Sequence, residues 1–261
     1  MKLTNNTIMI TGGTSGIGQA FANALSKDNK VIIVARNQAK LEQSISENPN
    51  LTGISADVSN LTEVQKLYQI VKNEHSELNM IIHAAGIMKN VNFFDENLDV
   101  EKTTAEININ LNGTIYLNKT FLPLLAKNSK THEAAMINVS SGISYMATTV
   151  NPVYSASKSA VNALTDSLSY QANFFGYKNL HLIRLAPPLI AETNLQDEMP
   201  ESGPGNMKLD KFIAVSLRGI SKNKAVINPG FSNLMKNLGK FAPKFIKMRV
   251  MNAMAKDLQF K

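Results

Sequence analysis

The chain has 261 residues, 44% of them hydrophobic and 18% charged, with no cysteine and a formal net charge of +7. That length suits one large α/β domain with a buried core, and the apolar content is too high for a disordered chain. The absence of thiols excludes disulfides, thiolate metal sites and a catalytic cysteine, and no apolar run reaches the ~20 residues that cross a bilayer as a helix.

The first residues, MKLTNNTIMITGG, run straight into a strand with no signal-peptide pattern, so the expected location is the cytoplasm. Short runs at 7–11, 31–35, 51–56, 80–83, 135–139, 180–185 and 225–227 predict strands. Most are continuously apolar, as strands buried on both faces are. Helical patterns alternate with them at 16–27, 38–47, 61–75, 100–126, 152–175 and 209–222. Alternation of this kind predicts an α/β fold: a doubly wound, seven-stranded parallel sheet with helices on both faces, the Rossmann fold, in a single domain. The expected division is a domain over 1–230 and a basic tail over 231–261. The long polar interruption at 191–207, containing MPESGPG, reads as a substrate lid.

The positive charge is concentrated at one end. Residues 231–261 hold seven basic residues and one acid, against 20 basic and 19 acidic residues in the first 230. Within PKFIKMRVMNAMAK, Ile246, Val250 and Ala253 share a helical face, whereas Phe245 and Met248 fall among the bases. Poor segregation predicts packing on the domain or on a second subunit over peripheral contact with anionic lipid. No nucleic-acid-reading module accompanies the charge, so no nucleic-acid partner is expected.

Three sequence features carry chemistry. Thr11-Gly12-Gly13-Thr14-Ser15-Gly16-Ile17-Gly18 stands between a strand and a helix. There glycines allow a tight turn and close approach to a pyrophosphate at the helix N-terminus. The second strand ends Val34-Ala35-Arg36-Asn37, with a guanidinium where dinucleotide folds often place an acid. Arginine pairs with phosphate, which favours NADP(H) over NAD(H). Finally, Tyr154 and Lys158 in YSASK share a helix face. An ammonium beside a phenol favours phenolate, and a tyrosine tuned this way exchanges a proton with an alcohol or ketone oxygen.

With these motifs in order, the chain resembles the short-chain dehydrogenase/reductase family. TGGTSGIG matches the family's TGxxxGxG; Asp57-Val58 matches its adenine-contacting pair; His83-Ala84-Ala85-Gly86 matches its NNAG element, with Ile82 and His83 in place of the leading asparagines. The resemblance implies a catalytic set of Asn110, Ser141, Tyr154 and Lys158. Tyr154 would be the general acid/base and Ser141 the hydrogen-bond partner of the substrate oxygen. Lys158 would tune the phenol and hold the nicotinamide ribose, and Asn110 would bend its helix and hold a relay water. It also implies cofactor contacts from Gly12, Thr14, Ser15, Gly16, Ile17, Gly18, Arg36, Asp57, Val58, Ala84, Ala85, Gly86, Tyr154 and Lys158. After the sixth strand the family has Pro-Gly with a threonine five residues after the proline, whereas this chain reads Ala186-Pro187-Pro188-Leu189-Ile190-Ala191-Glu192-Thr193. If Pro187 is the family proline, Pro188 replaces the glycine and Thr193 is one residue late; if Pro188 is, the threonine spacing is kept and the glycine is missing. Pro187, Ile190 and Thr193 are carried over as nicotinamide-side contacts. The double proline resembles a branch of the family linked by name to lipoteichoic-acid D-alanylation.

The function implied is NADP(H)-dependent hydride transfer on a small-molecule carbonyl or alcohol, without a metal, by a homodimer or homotetramer formed through the helices carrying Asn110 and Tyr154. The alternative is a dinucleotide-sensing or scaffolding protein that keeps the fold without turnover.

Overall fold

Parallel strands cannot be joined by hairpins, so each step from strand to strand must cross over and lay a helix on one face of the sheet. A computed structural model of the protein describes residues 1–190, 193, 195 and 206–257, and among these every step obeys that rule. The strands are β1 (Thr7–Thr11), β2 (Lys30–Ala35), β3 (Leu51–Ser55), β4 (Met80–His83), β5 (Ala134–Val139), β6 (Leu180–Leu185) and β7 (Val226–Ile227). They pair in parallel in the order β3-β2-β1-β4-β5-β6-β7. The sheet is thus the expected seven-stranded, doubly wound one. Its order reverses between β1 and β4, where open α/β sheets leave a crevice beyond the strand C-termini.

The helices are α1 (Gly16–Leu25), α2 (Gln38–Glu47), α3 (Leu61–Glu74), α4 (Val100–Ile107), α5 (Gly113–Asn128), α6 (Pro152–Phe174), α7 (Leu209–Ser221), α8 (Phe231–Phe241) and α9 (Lys244–Asp257). Side chains alternate across each strand, and this builds two cores. Ile8, Ile10, Val31, Ile33, Met80, Ile82, Ile137 and Leu185 meet Phe21, Leu41 and Phe212 from α1, α2 and α7. Met9, Ile32, Val34, Ile81 and Met136 meet Val64, Leu67, Leu117 and Phe121 from α3 and α5. Edge-to-face pairs lock each layer, Phe21 on Phe212 with ring centroids 6.1 Å apart and Tyr68 on Phe121 at 5.4 Å. Full burial of such side chains contributes about 1.5–3 kcal/mol each.

One expectation needed revision. The single helix expected over 100–126 is interrupted at Asn108–Asn112 by a π-helical turn between α4 and α5. A π turn adds a residue to the coil and marks functional positions more often than not. The tail forms two helices, α8 and α9. Met235 and Met251 are buried on Met146, with Ile143, Phe231, Leu238, Val250 and Met254 around them, whereas Ala253 is exposed and Ile246 is 38% exposed. The lid expected at 191–207 lies mostly outside the described residues.

Candidate active site

The glycine loop follows β1 directly. Gly12 has φ +68°, a left-handed conformation costly for any residue with a Cβ, and a Cβ there would stand 2.9 Å from the Ala85 backbone. The loop therefore lies flat against the Ala84–Gly86 segment, which is itself tied back: Ala84 N donates to Thr11 O (3.2 Å) and Ala85 N to Thr11 Oγ1 (3.4 Å). Thr14 is half-buried, Ser15 exposed, Ile17 packed on the core and Gly18 buried. Ser15 is the N-cap of α1, yet its side chain makes no capping bond, and no acid stands in the first turn. An uncapped helix start facing the crevice suits an anionic group. Thr193 closes on this loop: a Cβ on Gly16 would come 3.3 Å from the Thr193 Cβ. Thr193 Oγ1 also donates to Ile190 O at 2.8 Å, and Ile190 is buried in the core.

At the β2–β3 edge, Arg36 Nη1 lies 3.7 Å from Asp57 Oδ2, with the guanidinium 60% exposed. Asp57 Oδ1 accepts from Ser59 N (2.8 Å) and Ser59 Oγ (2.7 Å), which sets the turn after β3. Val58 is buried and its carbonyl faces Gly113 at the start of α5. Arg36, Asp57 and Val58 thus belong to one corner, apart from Tyr154 and its neighbours.

The Tyr154 group assembles where β5 ends and α6 begins. Lys158 Nζ donates to Val139 O at 2.9 Å and stands 5.6 Å from the Tyr154 ring centroid. Ser141 opens a short 3₁₀ turn (Gly142–Ser144), where its Oγ accepts from Ile143 N at 3.4 Å, and its hydroxyl acts on the Tyr154 phenol. Pro187 O accepts from Gly142 N at 2.8 Å and so anchors that turn to the segment after β6. Ser140, the neighbour of Ser141, donates instead to Lys158 O at 3.1 Å, joining strand to helix. Asn110, fully buried in the π turn, accepts from Ile87 N (2.9 Å) and donates to Ile87 O (2.9 Å) and Ser157 Oγ (3.2 Å). Gly86 sits between them: a Cβ there would meet Asn110 Oδ1 at 3.1 Å and Lys158 Nζ at 3.3 Å. Asn110, Ser141, Tyr154 and Lys158 are therefore brought together beside the glycine loop.

The phenol does not behave as an adjacent ammonium alone predicts. Burial pushes Tyr154 upward, the Ser141 hydrogen bond pulls it down, and the charge of Glu106 pushes it up again. Burial likewise lowers Lys158 to about 8, and Glu106 opposes that fall. Burial dominates both shifts because both groups are almost wholly out of water.

Several site residues escaped the sequence reading. Glu106 is one. Asn118 and Asn138 are others: their amides exchange hydrogen bonds at 3.0 and 3.3 Å, and Asn138 Nδ2 also donates to Thr165 Oγ1 (3.1 Å), joining β5 to α5 and α6 beneath the site. The tail supplies a wall as well, since Thr149 Oγ1 donates to Asn252 Oδ1 at 2.8 Å, and just before the tail Asn228 Oδ1 accepts from Tyr145 Oη at 2.8 Å. A polar residue in a helix or an asparagine in a strand carries no spacing signal that would single it out.

The described residues hold no cluster of three metal-ligating side chains and no helix long and apolar enough to cross a membrane. The chain matches the family model for short chain dehydrogenases over residues 6–203. It is 31% identical over 227 residues to the uncharacterised oxidoreductase DltE of Bacillus subtilis, covering 87% of this chain and 83% of that one. It is 30% identical over 179 residues to an uncharacterised oxidoreductase of Staphylococcus aureus, covering 67% and 75%. Among solved structures it superposes on a short chain dehydrogenase from Burkholderia cenocepacia in complex with NADP, with TM-score 0.80, 19% identity and coverage of 96% and 99%. A family member from Burkholderia phymatum in complex with NAD gives TM-score 0.75 and 18% identity, covering 87% and 89%. The chain belongs to the short-chain dehydrogenase/reductase family of oxidoreductases.

Proposed function

We propose that this protein is an NADP(H)-dependent oxidoreductase that interconverts a small-molecule carbonyl and its alcohol, with Tyr154 as general acid/base. The convergence of Tyr154, Ser141, Lys158 and Asn110 beside the glycine loop is the observation that carries the reading. The cofactor, when bound, supplies or accepts the hydride. Gly12, Thr14, Ser15, Gly16, Ile17 and Gly18 would hold its pyrophosphate, where the close-packed loop and uncapped helix start fit an anion. Asp57 and Val58 would meet the adenine, and Arg36 a 2′-phosphate. Ala84, Ala85, Gly86, Pro187, Ile190 and Thr193 would border the nicotinamide side, with Lys158 reaching the ribose.

Tyr154 gives its phenolic proton to the substrate oxygen in reduction and takes it back in oxidation. Ser141 steadies that oxygen as charge develops on it. Lys158 keeps a cation beside the phenol, which limits the cost of the phenolate once it forms. Asn110 holds the π turn against Ile87, fixing the floor on which Lys158 rests.

A homodimer or homotetramer in the cytoplasm is part of the same reading. Its support is the apolar groove between α5 and α6, lined by Ile115, Leu122, Leu168 and Phe175, with Ile115 and Phe175 41% and 64% exposed.

The test is Tyr154→Phe in an NADPH-oxidation screen across carbonyl compounds. Loss of general acid/base catalysis should cost at least about 10²-fold in turnover while NADPH binding, followed by fluorescence, stays nearly unchanged. Ordinary turnover by this variant removes the mechanism. Tight NADPH binding with no turnover of any carbonyl by the wild type would favour a sensing role.

A further inference from the structure

Tyr154, Lys158 and Asn162 follow one another at four-residue steps along the buried side of α6. Asn162 is 7% exposed. Its Nδ2 donates to Ser144 Oγ at 2.6 Å, while Oδ1 has no hydrogen-bond partner among the described residues. An amide kept out of water with its acceptor unmet is costly, and an apolar side chain of similar volume would fill the place more cheaply. What such a side chain could not do is hold Ser144.

That bond leads to Ser141. A hydroxyl has one proton to give. Ser144 Oγ accepts from Asn162 and gives its own proton to the carbonyl oxygen of Ser141. Ser144 O is gripped from α6 as well, 2.9 Å from Ser159 Oγ. The other side of the turn is held by Gly142 N on Pro187 O at 2.8 Å and by Tyr145 Oη on Asn228 Oδ1 at 2.8 Å. The turn that bears Ser141 is thus slung between the segments after β6 and β7 and the helix that bears Tyr154 and Lys158.

We propose that Asn162 is a positioning residue: through the Ser144 hydroxyl it fixes the Ser141 main chain relative to Tyr154, and so sets where the Ser141 hydroxyl meets the substrate oxygen. The inference rests on the role proposed for Ser141 and deepens it by tying that hydroxyl's placement to a side chain two turns of helix beyond Tyr154. The direction of the bond matters as much as the contact. An amide donates to Ser144 and leaves the Ser144 proton for Ser141 O, whereas a carboxylate in its place takes that proton and releases Ser141 O.

Two variants of the full-length protein test this. Asn162→Leu keeps the volume and removes the donor; Asn162→Asp keeps the shape and reverses the bond. The first measurement needs no substrate. Ser144, Tyr145 and Met146 close the turn with N–H bonds to Ser141 O, Gly142 O and Ile143 O. Amide hydrogen exchange at these three should quicken about tenfold or more in both variants, while Ala84 and Ala85 beside the glycine loop keep their rates. Unchanged exchange in the turn overturns the proposal, and so does equal acceleration at both places, which marks a general loss of stability. If neither variant folds, Ser144→Ala removes the link from its other end and is read in the same way.

The second measurement uses a carbonyl compound that the wild type reduces. Catalysis is sensitive to small misplacements, so Asn162→Leu should lower kcat about tenfold with KM and NADPH affinity within about twofold. In a Ser141→Ala background the same change should cost less than about twofold, because no hydroxyl is left to misplace. Equal costs in the two backgrounds overturn the positioning role. A wild type that reduces no carbonyl, or ordinary turnover by Tyr154→Phe, sinks the reaction and leaves the exchange rates to judge the tether. Equal costs in an enzyme that still needs Tyr154 sink the positioning alone.

Discussion

Along the C-terminal edge of the sheet, the stretch from Gly12 to Gly86 is shaped by backbone. Gly12 presses on Ala85, Gly16 on Thr193, and Gly86 makes room for Asn110 and Lys158. The stretch from Asn138 to Met251 is shaped by side chains: Ser140 bonded to α6, Asn138 to α5, and methionines 146, 235 and 251 gathered under the 3₁₀ turn. A backbone-built region has few solutions, since only glycine tolerates left-handed φ and such approach distances. A side-chain-built region has many, because apolar residues of similar volume substitute for one another. The first kind of region is therefore the one in which a change at a single glycine is hardest to absorb.

The seam between the two regions offers the largest expected effect. His83, at the end of β4, lies in register with Thr11 on one side and Asn138 on the other. Its Nδ1 is 2.6 Å from Thr11 Oγ1, and Nε2 is buried without a partner among the described residues. Burial, with help from the charge of Lys158, lowers it to about 3 from an ordinary 6.5. Because the folded value is depressed, the unfolded chain binds the extra proton between pH 6.5 and 3, and stability falls as pH drops through that window. The contribution reaches about 3 kcal/mol at pH 4. His83→Asn, with a side chain that does not titrate, should remove that loss. Denaturant titrations at pH 7 and pH 4 check it: the stability difference between the proteins should shift in favour of the variant by that amount, and a constant difference refutes a buried neutral His83.

In the side-chain-built region the expected effect is somewhat smaller. Met251 is 4% exposed and closes the cluster that joins α9 to Met146. Truncating a buried methionine costs about 2 kcal/mol at the low end of the measured range, so Met251→Ala should lower the melting temperature by several degrees. Through Met146 and the Thr149–Asn252 bond it should also disturb residues 143–150, while nucleotide binding at the glycine loop is retained. If nucleotide binding fell as far as stability, the two regions would not be separable.

What was legible in the chain follows the same division. All seven strands and the spacing of Ser141, Tyr154 and Lys158 could be read, because buried parallel strands are apolar runs and a helix face fixes i to i+4. Glu106 could not, since VEKTTAEI reads as a polar, solvent-facing helix; only its packing under α6 buries the carboxylate. Which residues of α9 pack could not be read either, because Met251 has its partners in α8 and in the loop at Met146, far away in sequence. The upward push on Tyr154 was invisible for a related reason. Adjacency to Lys158 is written in the sequence, whereas the degree of burial that outweighs it is a property of the assembled fold.

The smallest expected effect tests the backbone-built region at its one charged corner. The Arg36 side chain is 60% exposed and 3.7 Å from Asp57, so water and salt screen it, and the contribution proposed for it in binding a 2′-phosphate would be modest. Ala35→Asp with Arg36→Ile should repel a 2′-phosphate and offer free ribose hydroxyls an acceptor. The ratio of NADPH to NADH affinity should then fall by about tenfold, equivalent to about 1.4 kcal/mol. Fluorescence titrations of both nucleotides at low and high salt measure it, and the wild-type preference for NADPH should shrink as salt rises, because the discriminating charge is exposed. Equal binding of NADH and NADPH by the wild type would make Arg36 a surface charge paired with Asp57. The glycine loop would then hold the pyrophosphate without any side chain choosing between the two nucleotides.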